Sequence, residues 1–481
     1  MKIKVALFSI CSFLSVIAVS QENNPEVLPI KSRLEIFVDS LLIESLENLE
    51  LRMHVPADRG TVLKFDRPWE GPFSAYSTVI KDGPVYRLYY RGLATTKGES
   101  TNEEVTCYAE SADGIIWTKP DLRLFKVLDT WDNNIVLAGS KPASHNFSPF
   151  LDTNPGRSNG KFKALGGLTE GLLAFVSDDG VLWKKLRETP VLTGEPFDSQ
   201  NIAFWSVNEN CYVCYFRKWI ESGGKSVRSV GRSTSVDFIN WSKPEAMNFG
   251  NTPLEELYTN QTSPYYRAPH IYISTAARFF PGKQVITEEQ AKRLNVNPGY
   301  FKDCADAVLL TSRGGTTYQR TFREGFLRPG IGLNNWISRT NYPALNVVQT
   351  GETEISFYVN QDYAQPTANL HRYSLRIDGF ASLHAKFEPG ELVTKKISFT
   401  GSELILNFST SAAGYILVEI LDTNGSPLQE FSFENCIPVI GNEIERTVEW
   451  RSSSDLTKLN NIPVRIRFRI KDADLYSFRF R

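Results

Sequence analysis

From residue 74 onward, short runs of alternating apolar and polar positions are separated by clusters of Asp, Asn and Gly. "SAYSTVIKDG", "PVYRLYYRG" and "EEVTCYAESADGIIW" form a first set. "FSPFLDTNPG", "GKFKALGGL" and "GLLAFVSDDGVLW" form a second, and "QNIAFWSVNEN", "CYVCYFRKW" and "VRSVGRSTSVDFINW" a third. A period of two puts successive side chains on opposite faces, as strands do, and the intervening turn residues join them as hairpins. Each set closes on Ser, Asp and an aromatic residue, with 66 residues from Trp117 to Trp183 and 58 from Trp183 to Trp241. That length holds one four-stranded sheet, so the repeats predict blades of a β-propeller.

A fourth unit runs from "RAPHIYISTAARFF" to "DAVLLTSRGGTTYQR", with an insertion near residues 283–300 in which "TEEQAKRL" predicts a short helix. A fifth runs from "NYPALNVVQTGETEISFYV" to "HRYSLRIDGFASLHA". The N-terminal run "RLEIFVDSLLI" is expected to complete the last blade and close the ring, which removes exposed sheet edges. After about Gly390 the alternation continues without the Asp-Gly-Trp turn and predicts a β-sandwich. The expected organisation is therefore all-β: a signal peptide over 1–20, a five-bladed propeller over 32–389 and a sandwich over 390–481.

The repeat also settles how its aspartates are read. A chemical site is needed once and a structural device once per blade. Asp113 and Asp179 are thus expected to accept backbone N–H bonds in the turns, with the following Gly left-handed and the Trp packed between sheets.

Composition narrows the function. With 53 basic against 54 acidic residues, nothing marks the chain for nucleic acid or an anionic membrane. "MKIKVALFSICSFLSVIAVS" has the charged head, apolar run and small residues of a secretory signal, so an exported protein, periplasmic or secreted, is expected. The remaining five cysteines are scattered through strands, and Cys211 and Cys214, three apart in an alternating run, read as buried strand residues. No His-x-x-x-His spacing and no Gly-rich phosphate loop is present. No cofactor and no metal ligand set is implied, with a structural calcium left open.

A five-bladed propeller followed by a sandwich resembles the exported glycosidases of the invertase, fructosidase and arabinanase superfamily. "LEIFVDSLLIE", "DRPWEGPFSAYSTV", "HNFSPFLDTNPG", "FDSQNIAFW", "YYRAPHIYI", "NWISR" and "LRIDGFASLHA" resemble a fructosidase-like bacterial branch of it. The resemblance implies carboxylates at the starts of the innermost strands, converging over the central channel. The chain departs from the fructosidase motifs: "PFSAYSTVI", "SHNFSPF" and "FDSQN" stand where Asn-Asp-Pro-Asn, Arg-Asp-Pro and Glu-Cys would be.

Glycoside hydrolysis needs one carboxyl group held protonated and a second acting as nucleophile or base. Asp198, directly before "SQNIAFW", is the first candidate; Glu70 in "RPWEGPF" and Glu256 in "LEELYTNQ" are the others, with Glu255 as a substitute. His145, Asn146, Gln200, Asn201, Arg267, His270, Arg328, Trp336 and Arg339 are the expected substrate-binding groups, the arginines suiting a carboxylate or sulfate on an acidic sugar. The reading is an exported, exo-acting glycoside hydrolase of plant or algal-type glycan. A non-catalytic glycan-binding propeller is the alternative. A sialidase-like enzyme using Arg267, Arg328 and Arg339 with Tyr266 is a third reading.

Overall fold

The computed structural model describes residues 26–94 and 103–481; the expected signal peptide lies outside them. Five antiparallel sheets follow one another along the chain. The first blade contains Ala75–Asp82, Val85–Gly92, Val105–Ser111 and Ile135–Leu137. The second contains Ser148–Leu151, Phe162–Leu168, Gly171–Ser177 and Lys184–Lys185. The third contains Ile202–Ser206, Cys211–Ser222, Lys225–Ser235 and Glu245–Ala246. In the fourth, Thr262–Tyr265 pairs with Ala268–Phe280, which pairs in turn with Cys304–Ser312 and Leu257–Thr259. The fifth is built on Glu354–Gln361 and Asn369–Arg376. The first strands of successive blades touch one another around the axis, and a parallel bridge from Thr78 to Leu345 joins blade five to blade one.

The repeated turns have the expected geometry. The Asp113 carboxylate accepts from the amides of Ile115 and Ile116 at 2.7 and 2.9 Å, and Asp179 and Asp237 do the same two and three residues downstream. Gly114 and Gly180 sit at φ 74° and 76°, and in the third turn Phe238 takes the same left-handed angle at 67°. The Tyr358 hydroxyl of blade five donates to Gly114 O at 2.5 Å, and Tyr89 of blade one donates to Gly180 O at 2.8 Å. The seam closing the ring thus repeats the seam between blades one and two. Trp117 packs edge-on against Tyr358, and Trp183 against Tyr89, so the tryptophans lie between blades. The insertion in blade four holds a helix, Glu288–Arg293, begun by a reciprocal Thr287–Gln290 capping box.

Ring closure differs from the expectation. Ala57–Lys64 supplies the outermost strand of blade five. The run "RLEIFVDSLLI" joins the C-terminal sheet, where Glu35–Ile36 pairs with Arg465–Phe480 and Ile43–Glu47 pairs with Gly390–Thr394. Leu49–Met53 and Ala381–Ala385 pair in that sheet too, so its strands begin before Gly390 and draw on the N-terminal segment. Alternation specifies a strand and its buried face, not its neighbour. Either sheet could bury "RLEIFVDSLLI", whereas the true closing strand is largely exposed and carries little apolar signal.

Two long strands, Leu404–Leu421 and Arg465–Phe480, pair along their length with a break in register between Thr410 and Tyr415. Leu404, Leu406 and Phe408 before the break, and Ile416, Val418 and Ile420 after it, enter one buried cluster with Phe468 and Phe478. Both halves of the sheet face one core, which is compatible with the expected sandwich. Asp378 ties this unit to the propeller. Its fully buried carboxylate accepts from Tyr265 Oη at 2.7 Å, Arg267 Nε at 3.1 Å, Asn407 Nδ2 at 3.1 Å and Ser477 Oγ at 2.7 Å.

Candidate active site at the mouth of the propeller channel

The residues leading into the inner strands gather at one end of the axis. Tyr76 (φ 52°), Gln261 (φ 49°) and Arg339 (φ 59°) hold left-handed backbone there, and the register of the first inner strand shifts between Ala75 and Thr78. Such bulges re-aim side chains at the rim of a sheet, and the strain is unusual for a residue as bulky as tyrosine. Just inside, Gln200 Nε2 donates to Tyr76 O, Ser77 O and Thr78 Oγ1 at 3.0 to 3.3 Å. Gln261 Nε2 donates to Gln200 Oε1 at 2.6 Å and to Pro343 O at 2.7 Å. Blades one, three, four and five are thereby joined across the axis. The channel is plugged immediately beneath its mouth, and a separate, mainly apolar cavity of about 660 Å³ lies at the opposite end.

Asp198 stands at this mouth on a braced loop. Asn146, fully buried, donates to Phe197 O and Ser199 O at 2.8 and 2.6 Å, and Asn201 donates to the same two carbonyls at 2.9 and 3.0 Å. Ser199 Oγ donates to Tyr258 O at 2.7 Å. The peptide is therefore fixed on both sides of a carboxylate whose side chain is 59 % exposed. His145 Nε2 lies 3.2 Å from one Asp198 oxygen, and Arg217 Nη1 lies 3.8 Å from the other. The hydrogen bond from His145, reinforced by the Arg217 charge, draws the carboxyl down to about 2.

His145 is itself held from behind, its Nδ1 lying 3.0 Å from the buried Glu104. Two carboxylates, which only accept, face its two nitrogens and favour the protonated ring, while the Arg91 guanidinium, whose Nη1 lies 3.3 Å from Nδ1, opposes it. Burial opposes that charge, but the bonds to Asp198 and Glu104 outweigh it and raise the histidine above its ordinary value. Arg91 completes the support: its Nε and Nη2 donate to Phe73 O at 3.1 and 2.9 Å, and its guanidinium lies over the Tyr76 ring. Across the mouth, Tyr258 carries the Arg217 guanidinium 4.5 Å from its ring centre and the Arg339 guanidinium at 5.7 Å, with Tyr342 packed beside it.

Of the residues singled out in the sequence, Asp198, His145, Asn146, Gln200, Asn201 and Arg339 are brought together. Three of them act on the loop or plug: Asn146, Gln200 and Asn201 spend their donors on backbone carbonyls and on one another's elements. The other two carboxylates are placed elsewhere. Glu70 has no exposed side-chain surface and accepts from Lys119 Nζ at 2.7 Å, Tyr90 Oη at 2.5 Å and Arg67 N at 3.0 Å. Glu256 accepts from Arg228 N and Nη1 at 3.1 and 3.0 Å, and Glu255 is held by Arg278 and Arg320. Arg267 and His270 lie on the second strand of blade four or the turn before it, and bind Asp378 and Glu35 on the side of the C-terminal sheet. The inner strand of that blade is Thr262–Tyr265, one strand earlier than the sequence suggested. Arg328 and Trp336 line a groove on the flank of blade four. Arg267, Arg328 and Arg339 therefore do not form a trio.

Reading the sequence missed Glu104, Arg91, Arg217 and the tyrosines Tyr76, Tyr258 and Tyr342. Arg217 carried a signal, since "CYVCYFRKW" ends an apolar strand on two cations. One further carboxyl at this end is distinctive. Asp362 follows Glu354–Gln361, which runs toward the mouth, and the hydroxyl of its neighbour Tyr363 accepts from Arg91 Nη2 at 2.9 Å. Burial raises Asp362 above the usual carboxyl range despite hydrogen bonds from Thr367 and Asn334. Among the described residues no group of three or more His, Cys, Asp or Glu is arranged to hold a metal ion, and no helix is long and apolar enough to cross a membrane.

No family model matches the chain, and no curated protein matches it. Among solved structures it is similar to one described as a glycoside hydrolase, at a TM-score of 0.45 and 10 % identity over 67 % of this chain and 92 % of that one. It is also similar to a GH32 β-fructofuranosidase from Bombyx mori, at 0.43 and 10 % over 88 % and 94 % of the two chains. A third is a mutant α-L-arabinofuranosidase from Fusarium graminearum, at 0.39 and 12 % over 66 % and 98 %. These likenesses are distant, and the five-bladed architecture and its site rest on the strand pairing and contacts of this chain itself.

Proposed function

We propose that this protein is an exported glycoside hydrolase that removes sugars from the end of a glycan of plant or algal type. The observation that carries the reading is Asp198: a carboxylate held ionised, open to solvent, and braced on both sides at the mouth of a propeller channel. Hydrolysis needs such an anion to attack the anomeric carbon or to activate water against it. His145 and Glu104 act behind it, keeping it charged and fixed. The complementary role needs a carboxyl that retains its proton, and acid and base are assigned by environments that drive two pKa values apart. Asp362, raised by burial where Asp198 is lowered, is the proton donor for the departing oxygen. The plug formed by Gln200 and Gln261 leaves no path for a polymer to thread, which supports cleavage at a chain end. The leader-like first twenty residues support export.

The test is a screen of the purified protein against glycan oligosaccharides, followed by Asp362→Asn on a cleaved substrate. An activated aryl glycoside departs without protonation, so the variant is expected to keep turnover on it while losing turnover on natural linkages. Equal loss on both would remove Asp362 from the donor role. One observation favours a second reading, a glycan-binding propeller without catalysis: Glu70 and Glu256 are both neutralised away from Asp198. Absence of turnover on every glycan that the wild type binds would decide for it.

A further inference from the structure

The groove beside blade four lies at the same end of the propeller as the mouth. Ala268–Phe280, antiparallel to the inner strand Thr262–Tyr265, ends there, and Cys304–Ser312, antiparallel in turn to Ala268–Phe280, begins there. Its volume is about 550 Å³, within the range of small-molecule sites. Two aromatic residues line it. Phe280 lies beneath the Lys283 ammonium, 4.8 Å from its ring centre, and Trp336 is held in place by its Nε1 donating to Gly330 O at 3.2 Å.

The charges of the groove do not cancel. Arg278 is neutralised by Glu255 and Asp306, both at 2.7 Å. Lys283 and Arg328 are exposed, and among the described residues no carboxylate pairs with either. The segment that carries Trp336 continues to Arg339 at the mouth. Three residues span at most about 11 Å of chain, so groove and mouth are near neighbours on one loop.

We infer that this groove is a flanking subsite for an acidic oligosaccharide, with Trp336 against a sugar ring and Lys283 and Arg328 holding carboxylate or sulfate groups. The inference rests on the glycan reading of the mouth and adds the substrate class and the direction in which the chain extends. Anionic substituents fit because a guanidinium and an ammonium without acidic partners make their strongest hydrogen bonds to ionised acceptors such as carboxylate or sulfate. The aromatic face of Trp336 beside them offers an apolar surface to a sugar ring without selecting a sequence of hydroxyls. The ligand would occupy mouth and groove together.

The experiment is calorimetric titration of the wild type and of a Lys283→Ala/Arg328→Ala double variant. The ligands are a galacturonate tetrasaccharide, a sulfated carrageenan tetrasaccharide, a neutral cello-tetrasaccharide and galacturonic acid itself. Both substituted residues are exposed, and an unchanged unfolding midpoint verifies the fold of the variant. The wild type is expected to bind at least one acidic tetrasaccharide. The double variant is expected to bind it about tenfold more weakly, the loss of one or two charge-assisted contacts. Weakening confined to the galacturonate assigns uronates to the subsite, and weakening confined to the carrageenan assigns sulfate esters. Equal affinities in the two proteins would overturn the subsite while leaving the mouth untouched, as would equal weakening toward the neutral ligand. Failure of the wild type to bind either acidic ligand would overturn the acidic class, and cleavage of a neutral glycan by that same protein would show the glycosidase reading standing without it.

Discussion

Replacing Glu70 separates a structural carboxylate from a catalytic one. Its side chain is wholly enclosed, with Lys119, Tyr90 and the Arg67 amide satisfying it. In Glu70→Ala three hydrogen bonds are lost, one of them an ion pair, and Lys119, itself 9 % exposed, keeps only Asp66 at 3.0 Å and the Lys64 carbonyl at 2.6 Å. Removing one partner of a buried pair costs about 3–5 kcal/mol; with Asp66 still present, about 3 kcal/mol is the expected loss. Tyr90 Oη retains a bond from Asn134 Nδ2 at 3.0 Å, so the tyrosine is not left wholly unpaired. The assay is urea unfolding followed by tryptophan fluorescence, with turnover measured well below the unfolding temperature. The expected result is a destabilised protein whose folded fraction turns over normally. A variant within about 1 kcal/mol of the wild type but devoid of activity would refute the reasoning and return Glu70 to the chemistry.

Other outcomes follow from the same contacts. Asp113→Ala and Asp179→Ala each remove two backbone bonds and one from a serine, and should cost about 1 kcal/mol apiece, adding nearly fully because the turns belong to different blades; equilibrium unfolding checks this, and a loss of turnover in the folded variants would contradict the structural role of the repeat. The pH profile should be acidic. Asp198 must be ionised, and its lowered carboxyl keeps it so down to about 2, while Asp362 must be protonated, so activity falls as pH rises through its raised pKa. The alkaline limb should appear on natural linkages and be absent on an activated aryl glycoside, whose departure needs no proton; the same limb on both substrates would assign it to another group. In His145→Gln, Asp198 loses its strongest stabilising bond, so the acid limb should move upward toward the ordinary carboxyl value near 3.9; rates measured between pH 2 and 6 read the shift, and a fixed limb would deny His145 its supporting role.

The fold was legible because a period-two pattern and an Asp-Gly turn are local properties. Trp117, Trp183 and the aspartates before them state strand, turn and interblade packing within nine residues of sequence. Pairing partners are not local. "RLEIFVDSLLI" has a clear apolar face, yet which sheet receives it depends on strands more than 300 residues away. The closing strand Ala57–Lys64 is mostly exposed and shows little alternation to read. At the site, Asp198 was legible by position, directly before an apolar inner strand, although its polar neighbours Ser199, Gln200 and Asn201 turn out to brace the loop and the plug. Glu70 resembled it in sequence, and only the approach of Lys119, 49 residues downstream, reveals the difference. Arg91, Glu104 and Arg217 were hidden for a related reason: each lies on or beside a second or third strand of its blade, and enters the site only because the blade folds back on itself.

The most direct test is Asp198→Asn, measured for both binding and turnover on a glycan the wild type cleaves. The side chain is exposed and its loop is pinned by Asn146, Asn201 and Ser199, so the variant should fold normally and bind with little change. Its turnover should fall by at least about 10³-fold, the scale of losing a principal catalytic group. Turnover within about tenfold of the wild type, in a variant of unchanged stability and affinity, would contradict the assignment of the propeller mouth as the place where the chemistry occurs.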